Sequence, residues 1–167
     1  DAIWIFRVLD SPRARPPERP VSPVGAFWEA EALARRSGVI EQDPAASNGK
    51  VVAGQAGRDR AGFLTFGPYR FLPAGRFRAV FWLRGHGAGI DLQVTTSGGR
   101  QVLGAETVRP VAGPTFQAVA VPFALDAPAP VEYRVVWDGM GRAAVDAISV
   151  VFADARHVWH AEIGRAS

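Results

Sequence analysis

One run, Arg76-Phe77-Arg78-Ala79-Val80-Phe81-Trp82-Leu83-Arg84, restricts more than any other what this chain can become. Read with a period of two, Phe77, Ala79, Phe81 and Leu83 share one face, and Arg76, Arg78, Trp82 and Arg84 share the other. That period belongs to a strand buried on one side. It predicts that Trp82 faces outward. The alternation returns in Ile90, Leu92 and Val94, in Val119, Val121 and Phe123, and in Val131, Tyr133, Val135 and Trp137. Trp137 shares its face with Val135 and is assigned to the core. Turn signals separate these runs: Pro73-Ala74-Gly75, Ser97-Gly98-Gly99, Ala112-Gly113-Pro114 and Asp138-Gly139-Met140-Gly141. Short, regularly spaced strands without helical periods between them predict an all-β chain, an antiparallel β-sandwich of the jelly-roll kind. Only residues 30–36 also fit a helical turn.

The 167 residues are enough for one domain with tails. Residues 1–25 divide into a short apolar run, Ile3-Trp4-Ile5-Phe6, and a Pro- and Arg-rich linker. The sandwich is expected over 26–153, and 154–167 form a C-terminal tail. That tail holds His157 and His160, which alone do not make a metal site. With no cysteine, disulfides and thiolate metal sites are excluded. The net charge is +3, but arginines alternate with acids and no long basic run occurs. This reads as solvated surface, and nucleic acid is not an expected partner. No stretch reaches the ~20 apolar residues of a membrane span. The chain begins without Met or a signal peptide and is read as a mature product or a piece of a longer protein.

Three carboxylates stand out against this pattern. At strand spacing, Glu29 and Glu31 share a face with Phe27 and Leu33, and Asp146 shares one with Ile148, Val150 and Phe152. Acids on such faces are protonated, paired or metal-bound, because a lone buried charge is very costly. Several oxygens converging on one point suit a hard cation, with Ca2+ the first choice. The plainer reading is three solvated acids at strand ends. Strand parity gathers loops 55–61, 85–89, 108–114 and 138–142 at one end, with Arg58, Arg60, Asp138 and Arg142 among their polar residues. Guanidinium forks at such a rim suit hydroxyl or carboxylate recognition. The alternative is solvated loop charge. Asn48 serves either a ligand or the turn at Asn48-Gly49. Phe116 falls opposite Val119, Val121 and Phe123 and is expected exposed or at the rim, as a stacking ring or a cap on the core.

The order and spacing of three segments resemble carbohydrate-binding modules of families six and thirty-five. They are Trp28-Glu29-Ala30-Glu31-Ala32 leading to Ala46-Ser47-Asn48-Gly49-Lys50-Val51-Val52, then Phe71-Leu72-Pro73-Ala74-Gly75-Arg76-Phe77, then Ala144-Val145-Asp146-Ala147-Ile148-Ser149-Val150. The likeness covers about residues 26–153. It implies a galactose-binding-like β-sandwich with a structural calcium held by Glu29, Glu31 and Asp146. A backbone carbonyl near Gly49 or Lys50 would complete the shell, and the ion would tie the first and last strands together. It also implies a sugar stacked in a rim cleft. Two positions depart from the family: its Asn before the last strand is Ala144 here, and its stacking Trp corresponds to Phe116.

Enzyme signatures are missing: the sequence has no GxSxG, no HExxH and no P-loop. The reading is therefore a non-catalytic, calcium-stabilised module of a larger carbohydrate-active or cell-surface protein, extracellular or periplasmic. Its partners would be a polysaccharide or glycan and an attached catalytic or membrane domain. The alternative is a structural or assembly sandwich that has lost sugar binding and mediates protein contacts. A third is an accessory domain lying near a membrane.

Overall fold

A computed structural model describes residues 26–153. The N-terminal apolar run and linker, and the tail with His157 and His160, lie outside the described residues. The strands are β1 (Ala26–Glu29), β2 (Val39–Gln42), β3 (Lys50–Gln55), β4 (Gly62–Thr65), β5 (Pro68–Leu72), β6 (Gly75–His86), β7 (Ile90–Thr96), β8 (Gln101–Val108), β9 (Gln117–Leu125), β10 (Ala129–Trp137) and β11 (Arg142–Phe152). They form two antiparallel sheets. The first runs β2-β3-β11-β6-β9, with β1 also on β11; the second runs β4-β10-β7-β8, with β5 also on β10.

The alternation read from the sequence drives the packing. Phe77, Phe81 and Leu83 of β6 meet Leu92 and Val94 of β7, Tyr133 and Trp137 of β10, and Ile148 of β11 in one inter-sheet core. Trp137 is buried there, as expected. At roughly 25 cal/mol per Å2 of apolar surface removed from water, this face is the main source of stability.

The first sheet is covered on both sides. Trp82 is only 1% exposed, contrary to the outward position predicted for it. It lies in a second apolar cluster with Val51, Ala53, Val80, Phe116, Ala144 and Ala147, roofed by Ala45 and Ala46 of the 43–49 loop and by Phe27. The alternation was read correctly, but a loop distant in sequence makes the outer face a second interior. That loop is tied down by Asp43, whose Oδ1 accepts the Ala45 N–H at 3.0 Å and whose backbone carbonyl accepts the Ala46 N–H at 3.0 Å.

Strand β11 shares one of its edges between two partners. Val145 and the residues before it pair with β3, whereas Ala147 to Val150 pair with β1. On its other edge, the register with β6 shifts between Val145 and Ala147. Asp146 therefore sits on a β-bulge, at the point where its strand changes neighbours.

Candidate functional site

The bulge moves Asp146 off the face assigned to it. Val145, Ile148 and Val150 point into the inter-sheet core, but Ala144 and Ala147 both belong to the outer cluster. Two-residue alternation breaks at Asp146, so it does not share a face with Ile148. It is fully buried nonetheless, beneath the 43–49 loop. Glu31 departs from the expectation too. The chain leaves β1 at Glu29 and makes a 3-10 turn over Ala30–Ala32, so Glu29 and Glu31 do not alternate along one strand.

The three acids meet all the same, in the gap between β1 and β3 that Asp146 faces. Ser47 joins two of them: its hydroxyl contacts both Glu29 Oε2 and, at 3.2 Å, Asp146 Oδ1, and its N–H donates to Asp146 Oδ1 at 3.0 Å. Asn48 donates its amide to Glu31 Oε1 at 2.7 Å. One hydroxyl proton cannot serve two carboxylates at once. Burial pushes the Asp146 carboxyl up to about 7, the negative charges of Glu29 and Glu31 add to the rise, and the Ser47 N–H works against it. Two oxygens remain buried without a hydrogen-bond partner, Glu31 Oε2 and Asp146 Oδ2. Such orphans are uncommon and mark a place for a missing ion or water.

The chemistry of this donor set fits a hard cation. It supplies carboxylate, hydroxyl and amide oxygens and no sulfur or imidazole. Among the described residues, no group of three or more His, Cys, Asp or Glu is placed to hold a metal ion as the side chains stand. The Ser47 hydroxyl bridges Glu29 and Asp146 instead. The residues that would hold an ion, after a shift of their side chains, are Glu29, Glu31 and Asp146, with Ser47 and Asn48 as the loop's contribution. Sequence reasoning missed Ser47. Of the two expected carbonyl donors, that of Gly49 accepts the Asp43 N–H at 2.9 Å, and Lys50 opens β3 paired with Gln42.

The predicted rim residues do gather at one end, where Arg142 stands opposite both Gln55 and His86. Three of them are engaged within the protein. Arg142 forks onto Glu41 at 3.1 and 3.2 Å, and Arg58 reaches the same carboxylate at 3.2 Å and Asp59 at 2.8 Å. The Arg142 hydrogen bond is the main reason the Glu41 carboxyl is held low. Asp138 accepts the Gly89 and Met140 N–H groups, each at 2.9 Å, and so binds two loops together. Arg60 stays exposed, its backbone carbonyl accepting the Ser37 hydroxyl. Phe116 is not at the surface as expected: it is 8% exposed. The Arg84 guanidinium lies 4.4 Å from its ring centroid, held by Asp43 and by the Pro114 carbonyl at 2.8 Å. Arg84 occupies the face on which a ring ligand would stack.

Open aromatic surface lies instead on the second sheet. Phe71, paired with Pro130, and Tyr69 present their side chains on the outer face, 71% and 47% exposed. Beside them the buried Glu132 accepts the Tyr69 hydroxyl at 2.7 Å, the Thr95 hydroxyl at 3.1 Å and Arg134 Nε at 2.9 Å. No long-range sequence signal paired these residues.

Comparison with solved structures agrees with the resemblance read from the sequence. The C-terminal family six carbohydrate-binding module of LamC, a marine laminarinase from Zobellia galactanivorans, matches with a TM-score of 0.55 and 17% identity, over 76% of this chain and 98% of that one. The family six module CBM6cm-2 of Cellvibrio mixtus lichenase 5A, solved in complex with cellotriose, matches with a TM-score of 0.55 and 20% identity, over 75% and 95%. A family thirty-five carbohydrate-binding module from Clostridium thermocellum matches with a TM-score of 0.55 and 14% identity, over 77% and 98%. The chain has the β-sandwich fold of these modules. No protein-family profile matches it, and no curated protein matches it.

Proposed function

We propose that this chain is a non-catalytic carbohydrate-binding module, stabilised by a calcium ion, that serves a larger carbohydrate-active or cell-surface protein. The observation that carries the reading is the meeting of Glu29, Glu31 and Asp146 around the Ser47–Asn48 loop, with two buried oxygens unpartnered, on a sandwich shaped like these modules. A calcium ion there would supply the positive charge those oxygens lack. The chain's own residues do the rest. The 43–49 loop holds the acids in place, and the second sheet offers a fixed platform.

Sugar recognition on this chain falls to Tyr69 and Phe71. Their exposed rings suit the C–H face of a pyranose, which favours flat aromatic surface. Phe116, under Arg84, is not available in the same way. A single shallow face of this kind binds weakly and acts by raising the local concentration of an attached domain. A module for cell-wall or matrix glycans would place the parent protein outside the cell, in the periplasm or on a surface. The test is a glycan array with calcium present, run on the chain and on Phe71→Ala. Binding that the substitution abolishes supports the reading. A blank array with intact, calcium-loaded protein rejects it in favour of an assembly domain, for which the exposed Val39 and Ile40 on the edge strand β2 are the natural contact.

A further inference from the structure

Two arginines of the outer face of the second sheet stand over aromatic rings. Phe63 and Phe66 meet edge to face with centroids 5.8 Å apart. Each ring carries a guanidinium, Arg134 at 5.4 Å from Phe63 and Arg36 at 5.8 Å from Phe66. A guanidinium laid flat on a ring loses rotamer freedom in advance and keeps its N–H donors directed along the surface. Arg134 is held further by Glu132 at 2.9 Å. Gly99 leaves it room, since a Cβ there would lie 1.9 Å from the guanidinium. Arg36 is fixed through its backbone, whose N–H donates to the Phe63 carbonyl at 3.0 Å. It has no ion-pair partner among the described residues. Of the carboxylates on this face, Glu132 is paired with Arg134, and Asp91 accepts the Thr107 hydroxyl at 2.8 Å, which leaves Arg36 as the guanidinium without an ion pair there. The hydroxyl of Tyr69 lies within the electrostatic reach of both guanidiniums.

We infer that this face selects anionic glycans: Arg36 and Arg134, mounted on Phe66 and Phe63, take a carboxylate or sulfate group on a sugar that rests against Tyr69. The inference rests on the carbohydrate-binding reading and names the substrate class of its site. What is on offer is a single unpaired guanidinium on an aromatic surface. That suits one acidic group on a ring better than a nucleic acid or lipid surface, where binding depends on many phosphate contacts.

The full chain with calcium is titrated calorimetrically with hexagalacturonate and its methyl ester, and with a sulfated galactan oligosaccharide and its desulfated counterpart. The two pairs separate carboxylate from sulfate as the source of charge. At least one acidic member should bind about tenfold tighter than its neutral form, a typical effect of one charge-assisted contact. Arg36→Gln should erase that preference. Arg35→Gln, the same charge change one residue away on an exposed site, should keep both the preference and the neutral affinity. Equal affinity within both pairs overturns the anion selection but keeps the glycan reading. No binding of any oligosaccharide by folded protein rejects the glycan reading itself. Phosphatidylserine vesicles or a single-stranded oligonucleotide bound with the same Arg36 dependence would mark a general polyanion surface and overturn the inference.

Discussion

Replacing Asp146 by Asn isolates the electrostatic cost of the acid cluster. A carboxyl whose pKa rises from 3.8 to about 7 on folding is bound to its proton more tightly in the folded state. Its stabilising effect is complete below the unfolded value and lost as pH rises through the folded one. At ~1.4 kcal/mol per decade, the whole loss is about 4 kcal/mol, of which roughly 2.5 falls between pH 5 and pH 8. For a chain of this size, that should lower the metal-free melting temperature by about 5–10 °C across the interval. Asn keeps an oxygen for the Ser47 N–H but carries no charge. In EDTA, Asp146→Asn should therefore melt above the wild type at pH 8 and converge with it toward pH 5. The measurement is thermal unfolding by circular dichroism at closely spaced pH values. A difference between the two proteins that stays constant with pH would refute the argument, because a packing defect does not titrate.

Other perturbations follow from the same geometry. Calcium at 100 times its dissociation constant should stabilise the wild type by about 2.7 kcal/mol, and Asp146→Asn should respond far less; equal shifts in the two proteins would place the ion elsewhere. Trp82→Ala should cost about 3–5 kcal/mol in urea unfolding, as for a large core side chain, whereas a loss below about 1 kcal/mol would mean that the outer cluster is not a second core. Gly85→Ala puts a methyl 2.3 Å from the Arg142 carbonyl in the β6–β11 ladder; a loss of about 2–4 kcal/mol is expected from such overpacking, and an unchanged denaturation midpoint would show that the strands separate freely there.

The strands that bury one apolar face were legible because their own residues spell the period. Thus 76–84 lies inside Gly75–His86, and 131–137 inside Ala129–Trp137. Strand β8 was legible only through strand parity, which needs a strand before the 108–114 loop; Gln101, Glu106 and Thr107 lie on an edge where neither face must be apolar, so no alternation marks it. The acid trio was legible as a group, but its geometry was not. A bulge at Asp146 depends on the partners of β11, and no local pattern encodes an extra residue. Trp82 and Phe116 failed for a related reason: the loop and the arginine that cover them are far away in sequence. Ser47 has no role that its own sequence neighbourhood shows, although it bridges two of the acids. Tyr69 and Glu132, 63 positions apart, meet only because β5 docks on β10.

The short first strand also has a mechanical consequence. Ala26 stands opposite Val150, so the chain enters and leaves the sandwich side by side. Tension between flanking segments would act on the β1–β11 ladder at that end and peel it pair by pair, a weak direction for hydrogen bonds loaded in sequence. The peeling front would travel from Ala26 to Glu29 and arrive at the knot of Glu29, Ser47 and Asp146. There the load would pass from a row of single bonds to a cross-brace that joins three separate parts of the chain.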